Sequence, residues 1–446
     1  MTEFSQGPAM WQAIVAILIF AAAYVSLLIE KWNRTYTVLG GALLMVLLGI
    51  LPIGKAFTVY ANWHALILIA SLFIISGIFQ KTGLIAYTAS AIIHKFRLQP
   101  FTILLGFSIL AALTSALLDA LIAVAVIVPV VLKITKMMKL SPVPFLISFV
   151  ISANIGGAAT LLGNIPNRMV GAVAHVTMGH FLIALAPLVV IMLGILYVGM
   201  WLLYGKHMVI ADSYKKEPIN QSPASYLTND RVLLLGGSLV AVLTLVAFVL
   251  QGWLGWNASY IGAGGAVALL ALDYKGIVSL AKDKDYRTVL QSFMDSQILY
   301  FFGLFMMVGG LAYAGVSGFI AARGLELSQG SVSFLSMLVL WLTSFGSAMM
   351  DNIPYIAAMI PVIGHAGEML SSVSQVPITP LWWSLLIGSA IGGSATWVGS
   401  TTGMFAAGLA EQEGVRVSQR DYIIVAAPFS FLLLIVATIY FRVFLL

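Results

Sequence analysis

Two aspartates interrupt stretches of the chain that are otherwise strongly apolar. Asp119 lies in SALLDALIAVAVIVP (115–129), and Asp351 lies in SAMMDNIPYIAAMIP (347–361). A carboxylate at membrane depth is costly and is therefore a functional candidate by default. It can bind Na⁺, or it can accept a proton where burial disfavours its charged form. We interpret both aspartates as candidate sites for a coupling ion.

The same two residues also suit helix capping. Asp351-Asn352 precedes Ile353-Pro354, and Asp or Asn ahead of a proline in the first helical turn is good N-terminal capping chemistry. The two roles are compatible, because a helix end inside the membrane is where backbone groups can meet a solute. Both interpretations stay open at this stage.

A glycine-rich motif follows each aspartate, as IGGAATLLGN (155–164) and IGGSATWVGS (391–400). Glycine runs permit a helix to unwind, which exposes backbone groups to an ion or a polar solute. Small residues at this spacing also occur at tight helix contacts, which is the alternative. The predicted substrate-binding set contains Ser115, Asn154, Gly156, Gly157, Thr160, Asn164, Asn167, Ser347, Asn352, Gly392, Gly393, Ser394, Thr396 and Ser400.

Arg168 follows the first glycine motif, in the sequence GNIPNR, and Met404 lies near the corresponding position of the second. Three roles are open for this arginine. It is a charge partner for an aspartate, a ligand for an anion, or a side chain that extends to the headgroups.

Composition places the chain in a membrane. It is 61% hydrophobic and 9% charged, whereas soluble domains carry roughly 25% charged residues. Apolar runs of about 20 residues recur throughout, as transmembrane helices require. The chain has no cysteine, which excludes disulfides, thiolate metal sites and cysteine nucleophiles. The histidines show no metal-ligand spacing and there is no GxxxxGK[ST] loop. We expect a non-enzyme without cofactor, metal or nucleic-acid partner.

The two halves of the chain repeat the same motifs in the same order, which indicates an internal duplication. The two aspartate segments are 232 residues apart, the glycine motifs 236, and Phe73, Gly77 and Gly83 match Phe305, Gly309 and Gly315. Each half is predicted to contain three apolar helices, of which the third lies near 63–86 and near 295–318. A segment broken at its aspartate, a Gly-interrupted helix and a last helix follow in each half. The predicted domains are a first repeat over 1–204 (hairpin 100–137, broken helix 144–172), a linker over 205–230, and a second repeat over 231–446 (hairpin 330–363, broken helix 381–409).

The distribution of lysine and arginine indicates that each broken segment folds back to the side of the membrane on which it began. With five crossings per half, only Lys55, Arg323 and Arg442 lie on one side and Arg168 lies within the membrane, so 18 of the 22 Lys and Arg residues share the other side. The positive-inside rule predicts that this side is cytoplasmic and that both termini lie on the outer side. We also expect no cleaved signal peptide.

Five crossings is an odd number, so the second repeat is inverted with respect to the first. Inverted repeats with paired interrupted helices are typical of secondary transporters, which bind their solute near the midplane. We therefore predict an all-α polytopic membrane protein of two inverted repeats, each with a re-entrant hairpin and a Gly-interrupted helix.

Three segments carry a resemblance to a known family: ANIGGAATLLGNIPN (153–167), MMDNIPYIAAMIPVI (349–363) and WWSLLIGSAIGGSATWVGSTTG (382–403). They resemble the paired blocks of the ion transporter superfamily, in the branch of the arsenite pump ArsB, the antiporter NhaD and the pink-eyed-dilution P protein. The chain departs from these blocks at Asn164 and Ala120, where Asp and Asn are usual, and at Ser394, where Asn is usual. These departures weaken the expectation of symmetric sodium sites.

The resemblance implies an elevator-like homodimer in the bacterial inner membrane, driven by H⁺ or Na⁺, with a separate cytosolic ATPase subunit as a further partner. We predict a proton-coupled efflux antiporter for arsenite and antimonite, coupled through Asp119 and Asp351. Arsenite is mainly neutral As(OH)₃ near pH 7, so hydroxyls, amides and backbone groups suit it, and the absence of thiolates permits its release. The alternatives are a Na⁺/H⁺ antiporter, a Na⁺-coupled oxyanion or dicarboxylate transporter in which Arg168 supplies charge, and a gated channel.

Overall fold

The computed structural model describes residues 10–29, 32–96, 99–206, 208, 222–274, 297–371, 377–415 and 417–446. Throughout these ranges the regular elements are helices. The main helices are α1 (Met10–Ile29), α2 (Arg34–Leu47), α3 (Trp63–Gln80), α4 (Leu84–Lys95), α5 (Pro100–Leu117), α6 (Ala120–Met138), α7 (Val143–Gly157), α8 (Ile165–Ala174), α9 (Met178–Ala184), α10 (Ala186–Tyr204), α11 (Gly237–Leu254), α12 (Ala258–Leu272), α13 (Gln297–Tyr313), α14 (Val316–Leu327), α15 (Val332–Met349), α16 (Asn352–Ser371), α17 (Thr379–Ala395), α18 (Thr401–Gln412) and α19 (Gln419–Tyr440).

Short helical turns complete several of these elements. They are Ile53–Lys55, Ala56–Tyr60, Pro223–Tyr226, Val232–Gly236 and Phe441–Leu445.

Among the described residues, nine helices are long and apolar enough to cross a membrane, or ten if the bent pair α13 and α14 is one span. The spans of α1 and α11 bury only 17% of their windows inside the protein. Helices that expose this much apolar surface require lipid around them. The predicted all-helical, polytopic membrane architecture is confirmed.

Most helices of the first half have a counterpart, in the same order, among the described helices of the second. Helix α2 packs against α13 of the second half, and its counterpart α12 packs against α3 of the first. Likewise α5 packs against α7 in one half, and α15 against α17 in the other. This exchange of equivalent contacts matches a duplicated chain whose halves interlock. The boundaries that we predicted for the repeats stay predictions.

Helices end and begin at the two aspartates and at the two glycine motifs, while the bounds of the hairpins and broken helices stay predictions. Asp119 separates α5 from α6, and Asp351 follows the end of α15 at Met349. Helix α7 ends at Gly157 before α8 begins at Ile165, and α17 ends at Ala395 before α18 begins at Thr401. Each half therefore contributes one hairpin tip and one unwound segment.

The third helix of each half is shorter than predicted. We expected helices over 63–86 and 295–318, but they end at Gln80 and Tyr313. The cause is Gly83 (φ 77°) and Gly315 (φ 80°), which adopt the left-handed conformation that glycine tolerates best. A separate helix follows each glycine, and the second pair is bent by 64°.

The linker predicted over 205–230 lies largely outside the described residues. Its last part contains the turn Pro223–Tyr226, and the backbone N–H of Thr228 donates to the carbonyl of Thr82 at 3.1 Å. The end of the linker thus lies against the turn between α3 and α4.

Candidate functional site

The two hairpin tips and the two helix breaks meet in one region. Helix α6 packs against α18, α16 packs against α8, and α7 packs against α17. At the centre, the side-chain amide of Asn154 donates to the carbonyl of Gly393 at 3.3 Å and to the hydroxyl of Ser400 at 3.0 Å. Asn154 of α7 therefore joins the broken helices of the two halves directly.

Matching hydroxyl groups tie each hairpin to its own broken helix. Ser115 Oγ donates to the carbonyl of Ala153 at 2.6 Å, and Ser347 Oγ donates to that of Ser389 at 3.1 Å. Thr160 donates to the carbonyl of Ala116 in the first half. In the second half, Thr396 Oγ1 donates to the carbonyl of Ala348 at 2.7 Å. These four predicted binding residues hold the hairpin ends in place.

Three further residues of the predicted set form similar internal bonds. Asn164 donates to the carbonyl of Asn154 at 3.1 Å, and Asn167 donates to that of Gly157 at 3.0 Å. Ser394 Oγ donates to the carbonyl of Ala390 at 2.7 Å. Their side chains thus satisfy backbone carbonyls near the breaks.

The remaining members of the set lie in the packed centre. Ser400 accepts a bond from the N–H of Gly403 at 3.1 Å, as the cap of α18. Asn352 is 8% exposed. A Cβ at Gly156 would lie 2.5 Å from the Cα of Ala112, and one at Gly392 would lie 2.1 Å from the carbonyl oxygen of Ser344. These glycines permit close helix packing, which was the alternative interpretation of the motif.

Asp119 forms a buried ion pair with Arg168. The carboxylate Oδ2 lies 2.7 Å from Nη2 of Arg168, and the two side chains are 3% and 0% exposed. Asp119 Oδ1 also accepts the N–H of Leu121 at 2.8 Å, so the predicted cap is present. The interpretation that Arg168 extends to the headgroups is wrong, because its guanidinium is fully enclosed by protein.

Asp351 has different surroundings and lines a cavity. Its oxygens accept the hydroxyl of Thr401 at 3.1 and 3.0 Å, and its Oδ1 accepts the N–H of Ile353 at 3.4 Å. The cavity, of about 320 Å³, is lined by Trp32, Asn33, Arg34, Thr35, Leu121, Ile165, Gln297, Tyr300, Phe301, Asp351, Ile353 and Thr401. We call it cavity A.

Cavity A places both halves around one carboxylate. Leu121 follows the first hairpin tip and Ile165 opens α8, whereas Asp351 and Thr401 belong to the second half. The four hairpin arms are 18 to 20 residues long, so each is about 27–30 Å at 1.5 Å per residue. Length alone does not distinguish folding back from crossing. The meeting of both tips beside the breaks favours hairpins that fold back.

A second cavity lies on another side of the same carboxylate. This cavity B has a volume of about 330 Å³ and is lined by Tyr24, Leu27, Arg34, Tyr300, Asp351, Pro354, Trp397, Val398, Met404, Ala407, Gly408 and Glu411. Arg34, Tyr300 and Asp351 line both cavities. These three residues form the boundary between them.

Sequence reasoning missed Arg34, Gln297 and Tyr300 as site residues. Arg34 was counted only as a topology determinant, and the other two begin α13 without a polar motif around them. Their position depends on the packing of α2 against α13, which joins distant parts of the chain. The signal that was available for Arg34 is a charged residue at the start of an apolar helix.

The described residues contain no group of three or more His, Asp or Glu side chains that could hold a metal ion. The polar groups around Asp351 are instead a carboxylate, an arginine, hydroxyls and amides. Such a set can hold a small hydroxylated solute, an anion or a single cation.

Comparison with known proteins gives the family. The family model described as "Citrate transporter", CitMHS, matches residues 24–388. The chain belongs to the CitMHS family. This match covers both hairpins, the first broken helix and the beginning of the second one, so it extends over most of the duplicated architecture.

The CitMHS protein has relatives along nearly its whole length, and one of those described here is named a transporter. An uncharacterized transporter of Mycobacterium tuberculosis is 32% identical over 410 residues, which is 91% of this chain and 92% of that protein. The human P protein is 25% identical over 517 residues, covering 96% of this chain and 59% of that protein. The magnetosome protein MamN of Magnetospirillum gryphiswaldense is 24% identical, over 96% of this chain and 98% of that one. The protein is therefore a membrane transporter, and its resemblance to the P-protein branch is confirmed.

A solved structure shows the same general fold. The YdaH transporter of Alcanivorax borkumensis, described as having an unusual topology, aligns with a TM-score of 0.58 and 15% identity. The alignment covers 89% of this chain and 86% of that one.

Proposed function

We propose that the protein is a proton-coupled secondary transporter that exports arsenite and antimonite, with Asp351 as the carboxylate that carries the proton. The observation that carries this proposal is the position of Asp351, which is an acidic side chain on the wall of cavities A and B where the two repeats meet. A carboxylate in such a place can exchange a proton with either cavity as the protein changes conformation.

Cavity A suits a small neutral solute. Asn33, Thr35, Gln297 and Thr401 are neutral hydrogen-bonding residues on its wall, and arsenite is a neutral trihydroxy compound near pH 7. The chain has no cysteine, so As(III) meets no thiolate that would retain it. Polar groups of this type bind hydroxyls without a strong bond that would prevent release.

The same geometry argues against two symmetric sodium sites. Asp119 is occupied by Arg168, which leaves one of the two predicted coupling aspartates beside a cavity. A Na⁺/H⁺ antiporter with a cation at each hairpin tip would require both carboxylates to be available.

A second candidate is a transporter of oxyanions or small carboxylates. It is favoured by Arg34, a cationic side chain on the walls of both cavities, and by the description of the family model as a citrate transporter. In this candidate Arg34, rather than the Arg168 of the sequence-based hypothesis, supplies charge to the cargo, because Arg168 is enclosed.

The surroundings of the transporter complete the proposal. We place it in a bacterial inner membrane, with both termini in the periplasm and a homodimer as the working assembly. Movement of the hairpins and broken helices against the remaining helices would expose the site alternately to the two sides. A cytosolic ATPase subunit is a further proposed partner.

Transport in proteoliposomes tests these candidates. The purified protein is reconstituted in vesicles with an acidic interior, and arsenite accumulation is measured with and without a protonophore. Proton-coupled antiport predicts accumulation that the protonophore abolishes. Sodium-driven proton movement without arsenite would instead identify a Na⁺/H⁺ antiporter, gradient-driven citrate uptake a carboxylate transporter, and flux that ignores every gradient a channel.

A further inference from the structure

Arg168 is bound in the way that a buried metal cation is bound. Its Nη2 lies 2.7 Å from the carboxylate of Asp119 and 2.8 Å from the carbonyl oxygen of Leu118. Its Nε and Nη2 lie 3.0 and 2.5 Å from the carbonyl oxygen of Leu162. A carboxylate at a hairpin tip and carbonyls freed by a helix break are oxygen ligands that also suit a hard cation. The guanidinium occupies the centre of this set.

The second half has the corresponding residues without the guanidinium. Across the repeat, Asp119 corresponds to Asp351, Leu162 to Val398, and Arg168 to Met404. Asp351, Val398 and Met404 all line cavity B, which has a volume of about 330 Å³. The first-half position beside Asp119 is thus filled by a guanidinium, whereas the corresponding position beside Asp351 adjoins a cavity.

We propose that Arg168 is a built-in cation that permanently fills the first-half site, so that only the second half exchanges a mobile cation, at Asp351. This inference rests on the proposed coupling role of Asp351 and adds the reason why the symmetry of the repeat is broken. Arg168 is the specificity-determining residue, because it sets the number of exchangeable cations at one per chain.

The chemistry of arginine makes this substitution permanent. A guanidinium keeps its proton in proteins and cannot leave. Its side chain is fully buried, and the contacts given above come from both the tip and the break of the first half. Among the described residues, Arg168 is the cationic group that pairs with the carboxylate of Asp119.

The cation near the open site comes from outside the hairpin and the break. Arg34, at the start of α2, places its Nη2 3.8 Å from Met404 Sδ and lines cavity B with Asp351. The other titratable groups on this cavity are Tyr24, Tyr300 and Glu411. Because α2 is a separate element, its arginine and the Asp351 tip can separate when the hairpin moves, whereas Arg168 moves with the first-half site.

The first experiment copies the second half into the first with Arg168→Met. Thermal unfolding of the purified variant is followed in NaCl and in choline chloride, at pH 5.5 and at pH 8. The inference predicts a midpoint that rises by several degrees in NaCl or at the lower pH, because Asp119 then takes a mobile cation or a proton. Wild-type protein should show no such rise from Asp119, and Arg168→Met in an Asp119→Asn background is the matched control. A midpoint that responds to neither ion nor pH more than the control does would overturn the inference.

The reciprocal experiment fills the second site with Met404→Arg, and it stands even if Arg168→Met does not fold. The inference predicts a folded protein, since the corresponding position of the first half accommodates arginine, with at least a tenfold loss of proton-coupled transport. Coupled transport at the wild-type rate in folded Met404→Arg protein would contradict the inference. These outcomes are separate from the identity of the cargo, because the cation dependence of unfolding in Arg168→Met needs no transport. Absence of proton coupling in the wild-type protein would overturn the proposed function instead.

Discussion

Asp119 and Asp351 correspond across the duplication, yet they have different neighbours. Asp119 is paired with Arg168 and enclosed, whereas Asp351 contacts Thr401 and lines two cavities. Their different surroundings arise from one position in the helix that follows each glycine motif. This position is Arg168 in α8 and Met404 in α18. At the scale of single residues, therefore, the first tip has a structural role and the second is the candidate for coupling.

The Asp351→Asn substitution separates coupling from capping. Asn also caps helices well, so we expect the variant to fold with an unfolding midpoint close to that of the wild type. Since an amide does not take up a proton in this range, proton-coupled arsenite transport should fall at least tenfold. Transport assays in proteoliposomes, beside thermal unfolding of the same preparation, check both expectations. Normal coupled transport would leave Asp351 as a cap only.

The Asp119–Arg168 pair predicts a non-additive effect on stability. Removing one partner of a buried ion pair leaves an uncompensated charge and costs about 3–5 kcal/mol. Asp119→Asn should therefore destabilise the protein strongly, and Asp119→Asn with Arg168→Met should recover much of that loss. Denaturant unfolding of the double variant and of both single variants, Asp119→Asn and Arg168→Met, measures the coupling. A destabilisation in the double variant equal to the sum of the two single effects would show that the side chains act independently.

At the scale of elements, the site depends on close contact between each hairpin and its broken helix. Gly156 of α7 lies against Ala112 of α5, and Gly392 of α17 lies against Ser344 of α15. Matching hydroxyl bonds from Ser115 and Ser347 reinforce the same two contacts. The glycine motifs thus serve packing as well as unwinding.

A methyl group at either contact should force the helices apart. A Cβ at Gly392 would lie 2.1 Å from a backbone oxygen, which a side-chain rearrangement cannot relieve. We expect Gly156→Ala and Gly392→Ala to destabilise the protein by about 1–3 kcal/mol, in the range of overpacked cores. Gly364→Ala is the matched control, because a Cβ there meets nothing within 4 Å. Similar unfolding curves for all three variants would contradict this account of the contacts.

The elements also show what the sequence could predict. The sequence predicts the tips, the breaks and the order of helices, because the aspartate and glycine motifs that mark them occur in both halves. The pairing of Arg168 was left open, since only the folded chain brings α8 to the first tip. Arg34 and Tyr300 could not be found from motifs, because packing between different halves places them beside Asp351. The ends of α3 and α13 were missed because single glycines, rather than polar runs, cause them.

At the scale of the whole molecule, the apolar surface and the distribution of positive charge predict how the protein lies in the membrane. Apolar surface on α1 and α11 faces outward, and the distribution of lysine and arginine predicts which side is cytoplasmic. The interlocked halves place Asp351 on the wall of two cavities, and we propose that its carboxylate exchanges a proton there. A native chain without cysteine is convenient here, because single cysteines can be introduced without any background.

Cysteine labelling tests the orientation. Leu446→Cys lies at the C-terminus, which we predict to be periplasmic, and Lys206→Cys lies near the predicted cytoplasmic linker. A membrane-impermeant maleimide added to intact spheroplasts should label the first variant and not the second, and permeabilised membranes should allow labelling of both. The reverse pattern would invert the topology.

The most direct test of the central claim is proton movement driven by the cargo. Proteoliposomes containing the wild-type protein and a trapped pH-sensitive dye are given an inward arsenite gradient without an initial pH gradient. Antiport through Asp351 predicts that the interior becomes alkaline as arsenite enters and protons leave, and that Asp351→Asn protein gives no change. An arsenite-driven proton signal of wild-type size in folded Asp351→Asn protein would contradict the account.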